Sequence, residues 1–293
     1  FSFNVSAKLL NFFLLSMNKH LLFIVTILAI IFANSCSKEQ PNEPLKFGVE
    51  RYDSAALHIA LVPNHDCLPL YYAKRTGIYD SLGLKIQIAS YPSQMDCDTT
   101  LMGIADGGWA DLTRIAHYGG KMTQTKVLWR GTQQWQLFTC GTLRINSLKA
   151  LVGRTVAIAR STDEELWLST LLKQAKINSD DIFFPQINDL RLRALMLKGD
   201  QVDAALLTWP YTSLALANGH RCIAQQSKSQ SCGAFVMKVR KSEDANKKKQ
   251  WDLLERGRKI ALDSIRIKGA KAYSIILQKD YKIPQNIADT IKF

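Results

Sequence analysis

The chain has 293 residues, 47% of them hydrophobic, and carries a formal net charge of +13. This length and composition exclude a disordered or low-complexity protein and allow either two domains or one large domain with a proper core. The positive charge comes without a recognisable nucleic-acid-binding module, so we expect no nucleic-acid partner. Because the five histidines are scattered and no Cys-x-x-Cys pair occurs, we predict no metal site and no cofactor.

The start of the chain has the features of an export signal. Lys19 provides a basic start, Leu21–Phe32 is an apolar run, and small residues lead to Cys36. The run is shorter than the roughly 20 residues that a membrane-spanning helix needs, so a permanent transmembrane helix is the weaker alternative. We expect Met17 to be the natural start and residues 1–16 to be an upstream artefact.

The segment Ala33–Cys36 resembles the lipobox of bacterial lipoproteins, in which the cysteine is acylated, although alanine stands where leucine is usual. We therefore predict a signal over residues 1–36 that ends at a lipidated Cys36. The segment 37–55 is rich in lysine, glutamate, proline and asparagine up to Tyr52 and predicts a flexible tether. The folded body would then be lipid-anchored on the periplasmic or extracellular face of a bacterial cell envelope.

Disulfides can form in an exported chain. Cys222 and Cys232 flank a polar segment, which makes a bridge that closes a hairpin one option. Cys67 and Cys97 are a second option, because both follow predicted strands that should share one edge of a sheet. Reduced thiols throughout are the alternative, and the sequence leaves the choice open.

The folded body begins with a strand, a helix and a second strand. The apolar run Leu57–Val62 predicts a strand ended by Pro63, Leu68–Thr76 predicts a helix, and Leu84–Ala89 predicts the next strand. This order is that of a right-handed βαβ unit, in which the two strands are parallel. A further helix is expected over Asp98–Ile104.

Two segments, Gly103–Trp109 and Gly199–Trp209, share an order of glycine, aspartate, small residues and tryptophan. In the second segment, Val202–Leu207 predicts a buried strand, and Pro210 suits the first turn of a following helix. Ligands of open α/β sheets bind outside the carboxyl ends of the strands, so both tryptophans are site candidates. Packing at the rim of the core is the alternative for each.

A second α/β set begins at Ser147. Thr155–Ala159 predicts a buried strand, and Ser161 or Thr162 should cap a helix whose first turn is acidic. The other predicted elements are strands at Lys126–Trp129, Gln136–Thr139, Asp181–Phe184 and Ala234–Val239, a helix at Asp189–Leu197, and helices from Trp251 onward with a break at Pro284.

Three segments, Leu68–Ile88, Ser147–Thr162 and Leu197–Pro210, together resemble the solute-binding proteins of ABC importers. The branch is the one associated with sulfonates, nitrate, taurine and the pyrimidine precursor of thiamine. The resemblance implies an α/β fold of two lobes, each a mixed, mainly parallel sheet flanked by helices, with two crossing strands as the hinge. It also implies a non-enzymatic monomer that passes a small-molecule ligand to an importer permease.

The resemblance places lobe I at residues 56–131 and 235–293 and lobe II at residues 132–234. Ligand contacts in such proteins come from the loops that follow the strands. Carried over by position, the implied ligand-binding residues are Asn64, His65, Asp66, Ser93, Gln94, Trp109, Ser161, Thr162, Asp163, Trp209 and Tyr211.

Acidic residues at the predicted helix starts bear on the charge of the ligand. An oxyanion site is expected to use free helix N-termini or an arginine, but Asp66, Asp163 and Glu164 fill those positions. Together with the tryptophans they favour a flat, neutral or cationic aromatic ligand, such as a thiamine pyrimidine precursor. Two alternatives stay open: the acids only cap helices, or Arg160 serves an anion.

Two other functions compete with solute binding. The first is an enzyme on the same fold, because fungal thiamine-pyrimidine synthases resemble these proteins. His65 would then be the candidate catalytic residue. The export signal and the lack of a clustered set of histidines, cysteines or carboxylates speak against it. A surface lipoprotein without a transport role is the other.

Overall fold

The computed structural model describes residues 45–118, 125–228, 230, 233–239 and 245–293. The predicted export signal, Cys36 and most of the tether lie outside these residues. Lys46–Phe293 form one compact unit. None of the helices in the described ranges combines the length and the apolar character that crossing a membrane requires.

Strands and helices alternate along most of this unit. The strands are β1 (Lys46–Phe47), β2 (Glu50–Arg51), β3 (Leu57–Leu61), β4 (Ile86–Ser90), β5 (Gly107–Ala110), β6 (Thr125–Arg130), β7 (Gln136–Thr139), β8 (Val156–Ala157), β9 (Ala204–Leu207), β10 (Arg221–Gln225) and β11 (Ala234–Lys238). The α-helices are α1 (Leu68–Arg75), α2 (Ile78–Ser81), α3 (Gln94–Met102), α4 (Leu112–Tyr118), α5 (Asp163–Gln174), α6 (Leu190–Lys198), α7 (Tyr211–Ala217), α8 (Ala245–Lys268), α9 (Ala270–Lys279) and α10 (Gln285–Ala288).

Five strands form the first sheet, in the order β4-β3-β5-β11-β6. Strand β3 is buried along its whole length and pairs in parallel with β4 and β5, so the predicted βαβ unit is confirmed. The returning strand β11 pairs antiparallel with β5 and β6. We call this sheet and its helices, including α1, α3 and α8–α10, lobe I.

Four strands form the second sheet, in the order β10-β7-β9-β8. Only the β8–β9 pair is parallel; β7 pairs antiparallel with β9 and β10. Both sheets are therefore mixed, as expected, but parallel pairs are not the majority among the described strands, because the strands after each crossing run back against their neighbours. We call this sheet with α5–α7 lobe II.

The chain crosses between the sheets twice, through residues 131–135 and again between Gln226 and Gly233. The crossings are joined at both ends: Gly131 N donates to Gly233 O (3.0 Å), and Gln226 N donates to Trp135 O (2.8 Å). The strands of the two sheets fall in the ranges expected for the two lobes, except that β11 starts one residue early, at Ala234.

The described part of the predicted tether is packed rather than flexible. Residues 46–51 form a β-hairpin, in which β1 pairs with β2. Phe47 is 1% exposed and packs beside Ala60 and Ala89, while Tyr52 stacks on the ring of His58 at 4.2 Å. The tether prediction is wrong here. It was based on the polar composition of the segment and did not allow for Phe47 and Tyr52, whose rings pack against the folded body.

Several element boundaries also differ from the prediction. Helix α3 starts at Gln94, not Asp98, because the Ser93 hydroxyl accepts a hydrogen bond from Asp96 N and caps it. The expected strand at Asp181–Phe184 is a 3₁₀ turn, Ser179–Asp181, followed by a single parallel bridge between Phe183 and Thr155.

Candidate ligand-binding site

A small cavity of about 60 Å³ lies between the two lobes, at the edge where β3, β4 and β5 end. Its lining comes from both lobes and from the first crossing segment. The lining residues are Val62, Pro63, Asn64, Pro92, Gln94, Trp109, Asp111, Gln133, Trp135, Ala159, Thr162, Glu164, Asn188, Leu190, Arg193, Tyr211 and Gly233.

Three aromatic side chains give the cavity its apolar surface. Trp109 is the next-to-last residue of β5 and is 2% exposed, Trp135 immediately precedes β7, and Tyr211 opens α7. The Tyr211 hydroxyl donates to Tyr281 O (3.2 Å), which leaves its ring as the part available to a ligand. Such surfaces suit a flat apolar or aromatic molecule, whose faces they can cover.

Two buried hydrogen-bond donors on lining residues have no partner among the described residues: Asn64 Nδ2 and Trp135 Nε1. The orientation of the Asn64 amide follows from its other end, where Oδ1 accepts from Cys67 N (2.8 Å) at the start of α1. A buried donor without a partner costs about 1–3 kcal/mol. Because both residues line the cavity, a bound molecule is a candidate partner for these two donors.

Arg193 and Glu164 form a buried ion pair in the lobe II wall. Both side chains are 1% exposed, and two hydrogen bonds of 2.6 and 2.7 Å join them. Arg193 also donates to Ile187 O and Leu206 O, and Glu164 accepts from Ala159 N. Burial raises the pKa of Glu164 although the guanidinium opposes the shift. The pair adds no net charge to the cavity.

Asp111 and Asp163 each cap a helix of the opposite lobe. Asp111 Oδ2 accepts from Asp163 N (2.9 Å) at the start of α5, and Asp163 Oδ1 accepts from Thr113 N (3.1 Å) in the first turn of α4. Asp163 Oδ2 also accepts from Gly233 N (3.1 Å). Burial, and then the nearby Asp163 carboxylate, raise the pKa of Asp111 to about 7.

Asp66 fixes the first crossing segment instead of lining the cavity. Its carboxylate accepts from Thr132 N (2.9 Å) and Gln133 N (3.2 Å), and from the Thr132 hydroxyl. Burial by itself raises the pKa of Asp66, but hydrogen bonds from His65 and Thr132 bring it below its ordinary value. We infer that this carboxylate stays charged to hold the crossing segment in place.

Trp209 and His65 lie outside the cavity, in an aromatic cluster with Phe293. His65 stacks on Phe293 at 4.2 Å, and Trp209 meets both rings edge-on. Trp209 Nε1 donates to Lys292 O (3.0 Å). The two segments with a shared glycine, aspartate and tryptophan order therefore differ in role: Trp109 faces the cavity, whereas Trp209 packs at the rim.

Of the residues expected at the site, the structure brings one group to the cavity wall: Asn64, Gln94, Trp109, Thr162 and Tyr211. The others, His65, Asp66, Ser93, Ser161, Asp163 and Trp209, are not among the lining residues. Ser161 is exposed, Ser93 caps α3, and Asp163 acts between the lobes. Loops after strands therefore contribute to the cavity wall, but not every residue of each loop faces inward, and ligand binding by these residues stays a prediction.

Sequence reasoning missed Trp135, Asp111 and Arg193 as lining residues. Trp135 lies between the predicted strands Lys126–Trp129 and Gln136–Thr139, where no site residue was expected, and Asp111 follows Trp109 by two positions. Arg193 lies within a helix that was predicted, and its signal was an arginine in register with apolar positions of α6, where it is buried beside Ala194 and Leu197. A charged residue on an apolar helix face needs a buried partner, which Glu164 provides.

The described cysteines are free thiols, so the Cys67–Cys97 disulfide considered from the sequence is absent. Cys97 Sγ instead donates to Trp109 O (3.3 Å), and burial raises the pKa of both thiols. Cys222 is a free thiol that donates to Ala224 O, and Cys232 lies outside the described residues. No group of three or more metal-binding side chains is found in the described ranges.

Comparison with known structures shows a shared fold at low identity. The periplasmic aliphatic sulphonate binding protein SsuA from Escherichia coli is 18% identical, with 79% of this chain and 80% of that chain covered and a TM-score of 0.62. The alkanesulfonate-binding protein SsuA from Xanthomonas axonopodis pv. citri, bound to MOPS, is 18% identical over 81% and 83%, with a TM-score of 0.64. The periplasmic nitrate-binding protein NrtA from Synechocystis PCC 6803 is 14% identical over 80% and 68%, with a TM-score of 0.63.

These neighbours have the two-lobed α/β fold of periplasmic binding proteins, so the fold expected from the resemblance is confirmed. Comparison with curated protein sequences gives no match. The family model described as NMT1/THI5 like matches residues 64–256, which include the whole of lobe II and most strands of lobe I. Because that match spans more than half of the chain, the protein belongs to the NMT1/THI5-like family.

Proposed function

We propose that this protein is a lipid-anchored solute-binding protein of a bacterial ABC importer. It captures a small, flat, neutral or cationic aromatic molecule between its lobes and delivers it to the importer permease outside the cytoplasm. A pyrimidine precursor of thiamine is the kind of ligand we expect. The observation that carries the proposal is the cavity lined by aromatic side chains between two lobes that are joined by paired crossing segments.

The charge of the cavity wall supports a ligand that is not an anion. Its charged residues are Asp111, Glu164 and Arg193, and the last two neutralise each other. The wall therefore has a net charge of zero, or of minus one when Asp111 is ionised. At the start of α5, Asp163 N and Glu165 N already donate to Asp111 and Thr162, so these amides are not open to an oxyanion.

The names of the structural neighbours support binding and import in general, since they are periplasmic proteins that bind sulfonates or nitrate. Their ligands are anions, and we do not transfer that property at identities of 14–18%. The enzyme alternative gains nothing from His65, which stacks on Phe293 and is not a lining residue. A surface lipoprotein without a ligand is the remaining alternative.

Calorimetry on the full-length protein in detergent tests the ligand class. The titrants are 4-amino-2-methylpyrimidine, benzylamine, ethanesulfonate and nitrate. We expect saturable binding of the aminopyrimidine, the amine or both, and none of the two anions. Tight binding of ethanesulfonate with no binding of the aminopyrimidine or the amine would overturn the proposed ligand, and no binding of any titrant would favour the lipoprotein without transport.

The anchor is tested separately by the Cys36→Ser variant, expressed in a bacterium that is fed labelled palmitate. We expect the parent protein to incorporate label and to sediment with membranes. The variant should do neither. Equal labelling of both proteins would show that Cys36 is not the anchor.

A further inference from the structure

We propose that Asn64 and Trp135 select the ligand by donating their Nδ2–H and Nε1–H groups to acceptor atoms of a neutral heteroaromatic ring. This inference rests on the proposed ligand-binding function and adds to it the two positions that recognise the ring and the type of atom that they recognise.

Asn64 is held in one orientation by the fold. It is 1% exposed, and its Oδ1 accepts from Cys67 N, so its Nδ2 cannot exchange places with the oxygen without losing that bond. Its backbone carbonyl accepts from the Tyr281 hydroxyl (2.8 Å). The amide nitrogen is therefore a fixed donor, and it has no partner among the described residues.

The backbone of Trp135 is held by the second crossing segment. Its backbone nitrogen donates to Gln226 Oε1 (3.2 Å), and its carbonyl accepts from Gln226 N (2.8 Å), so both ends of its peptide unit are tied to the second crossing segment. The residue is 9% exposed. An indole nitrogen is a donor only, so an atom that satisfies Nε1 must be an acceptor.

An anionic acceptor fits this wall poorly. It would lie beside Asp111 and Glu164, and the positive charge of Arg193 is already offset by its two hydrogen bonds to Glu164. A neutral ring nitrogen or carbonyl oxygen can accept from Asn64 and Trp135 without that repulsion. The faces of Trp109 and Tyr211 can then cover the ring.

Polar recognition of this kind discriminates strongly, because an analogue that lacks the acceptor leaves a buried donor without a partner. The simplest pair of probes is 4-aminopyrimidine and aniline, which differ only in that aniline has C–H groups in place of the two ring nitrogens. Both are neutral near pH 8, so the comparison isolates the acceptors from charge.

The test uses Trp135→Phe, which removes the N–H and keeps an aromatic ring, and Asn64→Asp, which keeps the oxygen that accepts from Cys67 N and removes the donor. Trp129→Phe is the matched control. Trp129 Nε1 is also buried without a partner among the described residues, but Trp129 lies in β6 and does not line the cavity. Calorimetry with both probes and thermal unfolding without ligand are measured on the full-length protein.

We expect the parent protein to bind 4-aminopyrimidine at least tenfold more tightly than aniline. Trp135→Phe and Asn64→Asp should each bind 4-aminopyrimidine about tenfold more weakly, whereas Trp129→Phe should bind it as the parent does. Ligand-free Trp135→Phe loses an unpaired donor and also part of the indole volume that packs in the core of lobe II, so its unfolding temperature, beside that of Trp129→Phe, serves only as a check on folding. A merely structural tryptophan would lower the unfolding temperature and leave the preference for 4-aminopyrimidine over aniline unchanged.

Unchanged 4-aminopyrimidine binding in Trp135→Phe, or equal affinity of the parent for both probes, would overturn the inference while leaving a solute-binding function intact. If the parent protein bound ethanesulfonate but not 4-aminopyrimidine, the inference and the proposed ligand class would both be wrong. If Asn64→Asp folded poorly, the binding of 4-aminopyrimidine by Trp135→Phe would decide whether the inference holds.

Discussion

Arg193 shows how a single charged residue shapes the cavity wall without adding charge to it. It makes four hydrogen bonds inside lobe II, two of them to Glu164, and its side chain is 1% exposed. A buried pair of this kind offers little net stability over an apolar pair of the same shape, but the loss of one partner is expensive, because it leaves the other charge buried and unpaired.

Arg193→Leu should therefore lower the free energy of unfolding by about 3–5 kcal/mol, as measured by urea denaturation. The matched control is Asp280→Asn, which breaks the ion pair of Asp280 with the exposed Arg75 and should cost no more than about 1 kcal/mol. Equal losses in the two variants would mean that Glu164 is reached by water once the arginine is gone.

At the scale of the elements, close approach of strands explains a glycine in the segment Gly103–Trp109, whose tryptophan is a site candidate from the sequence. Gly108 lies in β5 opposite Ala60 of β3, and a Cβ at this position would lie 2.2 Å from Ala60 O. The neighbouring glycine at 103 ends α3, where an added Cβ would meet Thr99 O at 3.4 Å. Gly108 thus serves sheet packing and Gly103 ends a helix, while the tryptophan of this motif lines the cavity.

Gly108→Ala should destabilise the fold by about 1–3 kcal/mol, because strand β5 must move away from β3 to admit the methyl group. Gly103→Ala should cost less, since its contact is one that a small shift relieves. Thermal unfolding of the two variants compares them, and a larger loss at position 103 than at 108 would contradict the assignment.

The helices and strands with strong local signals were predictable from sequence. The βαβ unit from Leu57 to Ser90 and helix α6 with its cap at Asp189 follow from apolar patterning and capping residues. The hairpin at residues 46–51 and the burial of the Arg193 side chain could not be predicted from the sequence, because both depend on partners that are distant in sequence. For the same reason, the sequence predicted several loops that line the cavity but not which of their side chains face it.

The reciprocal capping of α4 and α5 makes the stability of the fold depend on pH, because Asp111, which caps α5, has a raised pKa. The pKa of Asp111 is raised to about 7, against about 3.9 in an unfolded chain, because burial and then the Asp163 carboxylate disfavour its ionised form. The carboxylate of Asp98 in α3 repels that of Asp111 and adds a smaller upward shift. Arg114 of α4 donates a hydrogen bond to Asp98. Between these pH values the folded state binds more protons than the unfolded state, so the contribution of Asp111 to stability is present below about pH 4 and is lost as the pH rises to about 7.

Asp111→Asn should remove this loss. Urea denaturation from pH 4 to pH 8 is expected to show the parent losing stability relative to the variant as the pH rises, with no further change in the difference above about pH 7. Parallel curves for the two proteins would show that Asp111 ionises in the folded state as an ordinary carboxyl group does.

At the scale of the whole molecule, the two lobes are held together around the cavity by a few polar contacts besides the crossing segments. Asp163 of lobe II contacts Thr113 and Gly233, Asp111 of lobe I contacts Asp163 N, and a backbone bridge joins Ser93 to Asp189. Lobes joined through short crossing segments can open and close about a hinge, and the closed arrangement then depends on such contacts.

Asp163→Ala removes the side chain that reaches across and should shift the ligand-free protein toward an open arrangement. Glu165→Ala is the matched control, because Glu165 is another acid in the first turn of α5 but accepts from Ser161 N within its own lobe. Small-angle scattering should give a larger radius of gyration for Asp163→Ala than for the parent or the control. Ligand binding should also weaken only in Asp163→Ala, since part of the binding free energy must then be spent on closure. The same radius of gyration in all three proteins would mean that the crossing segments alone keep the lobes closed.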